Sequence, residues 1–298
     1  AGTTPQETAT LRRRLKLPET GPIHIIFLFA ESLRSYELNH PKIGPAIFPN
    51  LKRRLDEQAI FFTQGYSSSF DSGQTVRGQF STLCSMLPNI GGAATYLAHT
   101  NLQTTCLQQL LKDAGYSTGW FNSFKSGYHN KRLFESLHGT DHFYDETYYR
   151  GRGITEKIGS WGLADEPVLL ETAHTLEEFA NTQSPIFANI LTISTHHPQP
   201  IIPQGTVPQA LLKELGADKS YHGLLSSYRY LDSAMEGFFE TLFAGPLAEN
   251  SLVVLLGDHG TPHRPPDIET KVQHIESRFR IPIALLTKNA IPEQLHHA

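Results

Sequence analysis

Three hydrophobic segments of the sequence are each followed by residues that could bind a metal ion or a phosphate. Glu31 follows one segment, Asp258 and His259 follow a second, and His196 follows a third. Open parallel sheets bind their ligands at the carboxyl ends of the strands. We therefore expect these four side chains to meet at one edge of a sheet. Their convergence is stronger evidence for a ligand site than any single motif.

Asp258 and His259 lie in a glycine-flanked turn and could offer a carboxylate oxygen and an imidazole nitrogen to one ion. Zn²⁺ and Mn²⁺ both accept such mixed ligands. An isolated Asp-His-Gly is equally typical of an ordinary turn. Glu31 could likewise cap a helix that begins near Leu33, or pair with Arg34. An unpaired buried carboxylate is costly, so we favour metal binding for all three residues.

The residues around Thr75 have the composition of a phosphate-binding helix start. Flexible residues at 71–74 lead into Thr75, and residues 76–86 are predicted to be helical. The N-terminus of a helix offers unpaired N–H groups and the positive end of its dipole. A threonine hydroxyl becomes a nucleophile only with the help of a metal or a base. Taken alone, the sequence equally predicts a simple helix cap at this position.

The histidines near the third segment allow several roles. His196 could donate to a phosphoryl oxygen or act as an acid, although a structural role is equally consistent with its position. Adjacent residues of a strand point to opposite faces, so we do not expect His197 to act with it. His263 and His274 are expected to be structural or exposed to solvent.

Strands and helices are predicted to alternate along the chain, which favours an α/β fold with a parallel sheet. Continuous apolar segments predict strands at 23–30, 185–193, 251–256 and 281–286, with a weaker one at 117–122. Apolar residues at helical spacing predict helices at 49–59, 102–114, 165–180 and 221–243. There is no internal repeat and no linker. We expect one catalytic domain at 21–298, short at its C-terminus, after an extension at 1–20.

Composition narrows the possible partners and surroundings. The net charge is −4, and the sequence has no long basic run, so nucleic acid is excluded as a partner. No apolar segment is long enough to cross a membrane, and the start suggests a processed or cut fragment. The basic cluster at 11–16 is expected to be a solvated face. For Cys84 and Cys106, a disulfide and two buried thiols remain equally open.

The order of the motifs resembles the lipoteichoic acid synthase group of phosphoglycerol transferases, within the alkaline phosphatase and sulfatase superfamily. The resemblance extends over residues 23–291. It is carried by nine short motifs, which are FAES at 29–32, FPNL at 48–51, SGQTVRG at 72–78, LLKDAGY at 110–116, DHFYD at 141–145, WGLADE at 161–166, TISTHHP at 192–198, YRYLD at 228–232 and GDHG at 257–260.

The resemblance implies an alkaline-phosphatase-like three-layer sandwich with a mostly parallel central sheet. It implies one divalent cation, Mn²⁺ ahead of Mg²⁺ or Zn²⁺, held by Glu31, Thr75, Asp258 and His259. Thr75 would attack a phosphodiester of a phospholipid headgroup donor and become covalently phosphoglycerylated. A glycan or polymer hydroxyl, or water, would then resolve that intermediate. His196 matches the substrate-contacting histidine of the family.

The sequence departs from the family at the substrate site. The family's Trp-Asn-Arg motif is His129-Asn130-Lys131 here, and Arg132 offers an alternative guanidinium. Lysine and arginine are not equivalent at a phosphate. We assign His129, Lys131 and Arg132 to substrate binding, together with Arg77 of the threonine motif. The family's Asp-x-x-Pro-Thr segment and final helix are expected to be missing.

Members of this group are anchored in the membrane and act outside the cytoplasm, so the resemblance implies the same for the parent protein. Three alternatives remain, namely a phosphodiesterase or monoesterase, a phosphoethanolamine transferase of the same fold, and a non-catalytic glycan-binding ectodomain. Sulfatase activity is not expected, because Thr75 cannot be converted to formylglycine.

Overall fold

A single sheet of eight strands organises the chain in the computed structural model, which describes residues 4–69, 74–183 and 185–295. The order across the sheet is β4-β3-β5-β1-β6-β7-β2-β8, and among these strands only β7 runs against the others. The strands are β1 (His24–Ala30), β2 (Ala59–Tyr66), β3 (Ser117–Asn122), β4 (His142–Tyr144), β5 (Ile186–Leu191), β6 (Ser251–Gly257), β7 (Arg280–Leu286) and β8 (Glu293–Leu295).

Helices connect most of the strands and cover the sheet. In the described part of the chain they are α1 (Pro5–Arg14), α2 (Ser35–Asn39), α3 (Ile43–Ile47), α4 (Pro49–Gln58), α5 (Gln74–Cys84), α6 (Thr95–Ala98), α7 (Leu107–Asp113), α8 (Lys131–Leu137), α9 (Glu146–Gly151), α10 (Asp165–Thr182), α11 (Gln209–Leu215), α12 (Lys219–Ala244) and α13 (Lys271–Phe279). Two 3-10 turns lie at Tyr128–Asn130 and Ala248–Asn250.

Alternating residues of the central strands build two separate hydrophobic cores. In β1, Ile26 and Leu28 pack towards α4, α10 and α12, whereas Phe27 and Phe29 pack towards α5. Period-two alternation with apolar residues on both faces is typical of a strand buried between two helical layers. The predicted three-layer α/β sandwich with a mostly parallel central sheet is therefore confirmed.

The five predicted strands are all present, and β3 has the predicted bounds. Strands β2, β4 and β8 were not predicted from the sequence. Two of these have only three residues, and the polar second half of β2 interrupts its apolar run. The helix predicted from residue 102 begins only at Leu107, after the disulfide-bonded Cys106.

The segment before β1 is packed onto the far edge of the sheet. Leu15 and Leu17 are buried beside Ile60 of β2 and Ala290. The basic cluster is partly structural, because Arg12 donates to two backbone carbonyls of the following turn. The division into an extension and a domain stays a prediction.

Cys84 and Cys106 form a disulfide, so the bridge is the correct choice between the two alternatives for these residues. The bond joins the end of α5 to the residue before α7. Among the residues that the structure describes, none of the helices combines the length and apolarity needed to cross a bilayer.

Candidate active site

Glu31 and Asp258 lie side by side because β1 and β6 are neighbouring parallel strands that end together. Ala30 is paired with Gly257 in the register, so the residues that follow them, Glu31 and Asp258, leave the sheet at the same edge. Both carboxylates are buried, with 1% of each residue exposed. The predicted convergence at the strand ends is present for these two residues.

Ser32 links the two carboxylates and was not predicted as a site residue. Its N–H donates to Asp258 Oδ1 at 2.9 Å, and its hydroxyl donates to Glu31 Oε1 at 2.9 Å. Its backbone is left-handed, with φ at 58°, an uncommon conformation for a side chain other than glycine. Tyr228 donates to the Ser32 carbonyl at 2.7 Å and holds this turn in place.

Thr75 reaches the same cluster from the first turn of α5. Its Oγ1 donates to Glu31 Oε2 at 3.0 Å and lies 3.4 Å from His259 Nε2. The helix can approach this closely because Gly78 has no side chain. A Cβ at that position would lie 2.0 Å from the Asp258 carbonyl oxygen. Residues 71–73 of the predicted phosphate-binding segment lie outside the described residues.

Glu31, Asp258 and His259 fit the requirements of a divalent cation. One ligand atom from each lies within 4.8 Å of the others, and all three residues are buried. Within the described residues, Asp258 Oδ2 is buried and has no hydrogen-bond partner. His259 Nδ1 hydrogen-bonds to the Gly260 carbonyl at 2.6 Å, which directs Nε2 towards the carboxylates. Two oxygens and one nitrogen suit Zn²⁺ and Mn²⁺ alike.

The charges of the cluster perturb one another strongly. Burial and the Glu31 carboxylate raise the pKa of Asp258 above its usual range. Burial opposes ionisation of Glu31 as well, but the charge and hydrogen bond of His259 outweigh it and lower the Glu31 pKa. Burial would lower the pKa of His259, and the two carboxylates raise it instead. The imidazolium thus supplies the positive charge that a bound cation would replace.

A cavity of about 370 Å³ opens in front of the cluster. One wall is ionic and includes Glu31, Thr75 and His259. Another part of the lining is aromatic, with Trp161 in ring contact with Phe124 (5.4 Å), Tyr128 (5.6 Å) and His196 (4.2 Å). The cavity thus combines an aromatic surface with residues that could bind a phosphoryl group.

Both His196 and His197 line this cavity, contrary to the expectation that only one would reach it. The reason is that β5 ends at Leu191, so both histidines lie in a loop where strand alternation no longer applies. His196 Nδ1 is 2.8 Å from the His197 carbonyl, which leaves Nε2 available. Trp161 donates to the same carbonyl at 3.2 Å.

His129 and Lys131 line the cavity from the 3-10 turn and the start of α8. His129 stacks on Tyr128 with ring centroids 4.1 Å apart. Its backbone is left-handed, as is that of Asn130, and such strain is concentrated at functional sites. The Lys131 ammonium lies 5.7 Å from the Trp120 ring centroid. Burial lowers the Lys131 pKa, and the Glu31 and Asp258 carboxylates oppose this shift.

Among the described residues, those that line the cavity do not include Arg132 or Arg77. Arg132 follows Lys131 on α8, and consecutive helical residues point about 100° apart. Its guanidinium instead lies 4.7 Å from the ring centroid of Phe143. Arg77 is fully buried inside α5 and donates to the Gly92 carbonyl at 3.2 Å. Direct substrate contact by these two residues has no support in the geometry.

Buried ion pairing holds the loop that carries His259. Arg34 pairs with Glu37 rather than Glu31, and both side chains are fully buried. The Arg34 Nη1 donates to the carbonyls of Thr261 at 3.2 Å and His263 at 2.7 Å. The sequence could have indicated this Arg34–Glu37 ion pair, because an arginine and a glutamate lie three residues apart shortly after a buried strand.

Asp165 holds the loop that carries His196 and His197. Its carboxylate accepts hydrogen bonds from the N–H groups of Ile193 at 2.9 Å and Ser194 at 2.8 Å. His263 has the structural role that was expected, with Nε2 lying 3.0 Å from Gln199 Oε1. The loops at the cavity are therefore fixed by buried polar contacts, which sequence periodicity does not reveal.

Comparisons with known proteins identify relatives of this chain. The sulfatase family matches residues 23–298. Phosphoglycerol transferase I of Xanthomonas axonopodis pv. citri is 24% identical over 86% of this chain and 36% of its own length. Lipoteichoic acid synthase 2 of Bacillus subtilis is 25% identical over 79% of this chain and 35% of its own length. The chain thus spans about a third of the length of these curated relatives.

A solved structure shares the fold. The lipoteichoic acid synthase LtaP of Listeria monocytogenes superimposes with a TM-score of 0.77 and 21% identity, over 94% of this chain and 69% of that one. The family match covers most of the sequence, including the strand ends that carry Glu31, Asp258 and His259. This chain belongs to the sulfatase family.

Proposed function

We propose that the chain is the catalytic domain of a metal-dependent transferase that moves a phosphoglycerol group from a lipid donor to a glycan or polymer acceptor. The observation that carries the proposal is the position of Thr75. Its hydroxyl lies 3.0 Å from Glu31 Oε2 and 3.4 Å from His259 Nε2, at a helix start that faces a cavity. A hydroxyl that served only as a helix cap would not need this buried acidic cluster.

In the first step, Thr75 attacks the phosphorus of the donor phosphodiester. A cation held by Glu31, Thr75, Asp258 and His259 would lower the pKa of the threonine hydroxyl and neutralise phosphoryl charge. The hydroxyl proton already points at the Glu31 carboxylate. The Thr75 oxygen–phosphorus bond forms while the bond from phosphorus to the diacylglycerol oxygen breaks. That oxygen leaves with a proton, and Thr75 carries the phosphoglycerol.

The protein supplies several groups that stabilise the developing charge. The N–H groups at the start of α5 face the position of the phosphoryl group, as at other helix starts that bind phosphate. Lys131 contributes a positive charge from the cavity wall, and His196 Nε2 provides a hydrogen bond to a phosphoryl oxygen. The stacked His129 borders the space left for the headgroup.

In the second step, an acceptor hydroxyl attacks the same phosphorus and Thr75 is regenerated. The acceptor oxygen forms the new phosphodiester and loses its proton, and the Thr75 oxygen takes up a proton as the covalent bond breaks. Water in place of the acceptor would give hydrolysis and free glycerol phosphate. The names of the relatives support a phosphoglycerol donor and a polymer acceptor.

We place this reaction outside the cytoplasm, in a parent protein anchored to the membrane, with residues 21–298 as the catalytic domain and 1–20 as its extension. The Cys84–Cys106 disulfide supports this location, because disulfides persist in oxidising compartments. Mn²⁺ is the preferred cation in the proposal, ahead of Mg²⁺ and Zn²⁺.

Thr75→Ala tests the nucleophile directly. Turnover of phosphatidylglycerol and of a nitrophenyl phosphodiester is measured with and without Mn²⁺, and Thr82→Ala serves as the control because Thr82 lies two turns further along α5. We expect the alanine at position 75 to lower the rate at least about a thousand-fold and to abolish the covalent adduct seen by mass spectrometry. Equal rates for wild type and Thr75→Ala would reject the assignment.

The alternatives are separated by the products. Addition of a glycan acceptor yields glycosylated phosphoglycerol only with a transferase, whereas a hydrolase releases glycerol phosphate. Phosphatidylethanolamine in place of phosphatidylglycerol tests the phosphoethanolamine reading. If the protein binds none of Mn²⁺, Mg²⁺ and Zn²⁺ after supplementation, the non-catalytic glycan-binding alternative replaces the proposal.

A further inference from the structure

The loop between α5 and α6 exposes its aliphatic side chains to solvent. Leu87 is 83% exposed, Ile90 is 80% exposed and Met86 is 43% exposed, all within five residues. Single exposed apolar residues are common on soluble proteins. Two aliphatic side chains with four-fifths of their surface in water, on one short loop, indicate a surface that is covered in use. We call residues 85–92 the apolar loop.

The apolar loop is held in a defined conformation. The Cys84–Cys106 disulfide fixes the chain directly before it. Asn89 donates to the carbonyls of Gly91 and Ala93, both at 2.8 Å, and accepts from the Thr95 hydroxyl at 2.6 Å. The loop therefore presents its aliphatic side chains without the entropic cost of ordering them on contact.

The apolar loop is connected to the helix that carries Thr75. It continues directly from α5, whose first turn carries Thr75, and Arg77 of that helix donates to the Gly92 carbonyl. After α6 the chain contacts the cavity wall, because Asn130 of the 3-10 turn donates to Thr100 at 2.9 Å. The apolar loop thus contacts α5, and the segment that follows the loop contacts the 3-10 turn that lines the cavity.

The charges around the apolar loop match an anionic lipid surface. Residues 78–111 contain no aspartate, glutamate, lysine or arginine. Over residues 74–134 there are five lysines and arginines and one acidic residue, Asp113. Of the five, Arg77 and Lys131 are buried and Lys112 pairs with Asp141, so the exposed basic charge is that of Lys125 and Arg132. Lys125 and Arg132 of this stretch are exposed beside the 3-10 turn. Aliphatic tips with basic flanks are typical of surfaces that enter a bilayer interface.

We propose that the apolar loop inserts into the interface of a phospholipid bilayer rich in anionic phosphatidylglycerol and so docks the mouth of the cavity on the membrane. The inference rests on the proposed function, since a lipid donor brings the site to a bilayer. Leu87 and Ile90 enter the acyl boundary, and Lys125 and Arg132 face the headgroups. The headgroup then reaches Thr75 without the lipid leaving the membrane.

Flotation of the 298-residue chain with vesicles of equal parts phosphatidylglycerol and phosphatidylcholine tests the proposal. The double variant Leu87→Asp, Ile90→Asp is expected to bind at least about ten-fold more weakly than wild type, because two aliphatic insertions are lost and two negative charges added. The control is Ile291→Asp. Ile291 is 48% exposed and lies just before the edge strand β8. It is expected to bind within about two-fold of wild type.

A second measurement does not depend on loss of binding. Leu87→Trp is expected to show a blue-shifted emission with these vesicles and quenching by brominated acyl chains. Phosphodiester turnover is recorded separately, so a failure of the proposed function leaves the vesicle result readable. Failure of the wild type to bind, equal binding by the double variant, or an unshifted tryptophan would overturn the proposal. The proposal would also be overturned if the wild type were a dimer in gel filtration and the double variant a monomer, because the loop would then bind a second copy of the chain.

Discussion

Asp258 is the residue whose environment best fits a cation ligand. Its Oδ2 is buried and, among the described residues, lacks a hydrogen-bond partner, while the Glu31 carboxylate lies in the same cluster. The sequence predicted a ligand here only from the combination of Asp258 and His259 with Glu31 at the end of another strand, and the assignment stays a prediction. The role of Ser32 between the carboxylates could not be predicted, since it depends on a left-handed turn.

Asp258→Asn should separate metal binding from folding. Asparagine keeps the Oδ1 that accepts from Ser32 and His259, and it removes one of two adjacent buried charges. We expect the melting temperature in chelator to stay the same or rise, and the stabilisation by Mn²⁺ to shrink as affinity falls at least about ten-fold. Thermal unfolding over a Mn²⁺ titration measures both quantities.

Asp232→Asn is the matched control for this test. Asp232 is also buried, but it accepts from the backbone N–H groups of Asn50 and Leu51, away from the cluster. Its replacement is expected to lower stability and to leave the Mn²⁺ response intact. An unchanged Mn²⁺ response in Asp258→Asn would remove this residue from the ligand set.

Lys131 and Arg132 provide a second test at the scale of single residues. Lys131 is buried at the cavity, whereas Arg132 packs on Phe143. A charged hydrogen bond to a phosphoryl oxygen is worth about 1.5–3 kcal/mol. We therefore expect Lys131→Met to lower kcat/KM for a phosphodiester by about ten- to a hundred-fold and Arg132→Met by less than about two-fold. Steady-state kinetics check both, and the reverse order would restore the guanidinium as the substrate contact.

At the scale of elements, the sequence is most informative where a strand is continuous and apolar. It predicted β1, β5, β6 and β7 for this reason, and it identified candidate site residues after β1, β5 and β6. It could not show that β1 and β6 are neighbours, because strand order depends on how distant segments pack. The aromatic wall around Trp161 was missed because it is formed by loops whose paths are set by contacts such as that of Asp165.

The close approach of α5 to the end of β6 can be tested by adding a methyl group at Gly78. Gly78→Ala places a Cβ 2.0 Å from the Asp258 carbonyl, so either the helix or the metal loop must move. We expect a destabilisation of about 1–3 kcal/mol and a loss of turnover of at least about ten-fold, because Thr75 moves with the helix. Urea unfolding and phosphodiester kinetics measure the two effects.

Gly237→Ala in α12 is the control for this substitution. No atom lies within 4 Å of an added Cβ there, so the change tests helix propensity alone. It is expected to stabilise the protein by about 0.5–1 kcal/mol and to leave the kinetics unchanged. If Gly78→Ala behaved in the same way, the tight contact between α5 and Asp258 would be absent in solution.

At the scale of the whole molecule, the Cys84–Cys106 disulfide joins α5, the helix that carries Thr75, to the start of α7 on the same face of the sheet. Cys84 ends α5, and Cys106 precedes α7, 22 residues further along the chain. The sequence left two possibilities for these cysteines because spacing alone does not fix a distance in space. Only the packing of the two helices against the same face of the sheet brings the sulfur atoms together.

Reduction of this disulfide should weaken folding without removing the fold. A loop of this length gives about 3 kcal/mol of stabilisation in the chain-entropy treatment, and most of the hydrophobic core lies elsewhere in the sheet. We expect urea unfolding with a reductant to show a free energy of unfolding lower by about 2–4 kcal/mol. The double variant Cys84→Ser, Cys106→Ser should show the same decrease in the free energy of unfolding, and this value should not depend on the reductant. If the reductant lowered the stability of this double variant as well, its effect on the wild type would not arise from the bond; if it left the wild type unchanged, the two cysteines would be thiols in the folded protein.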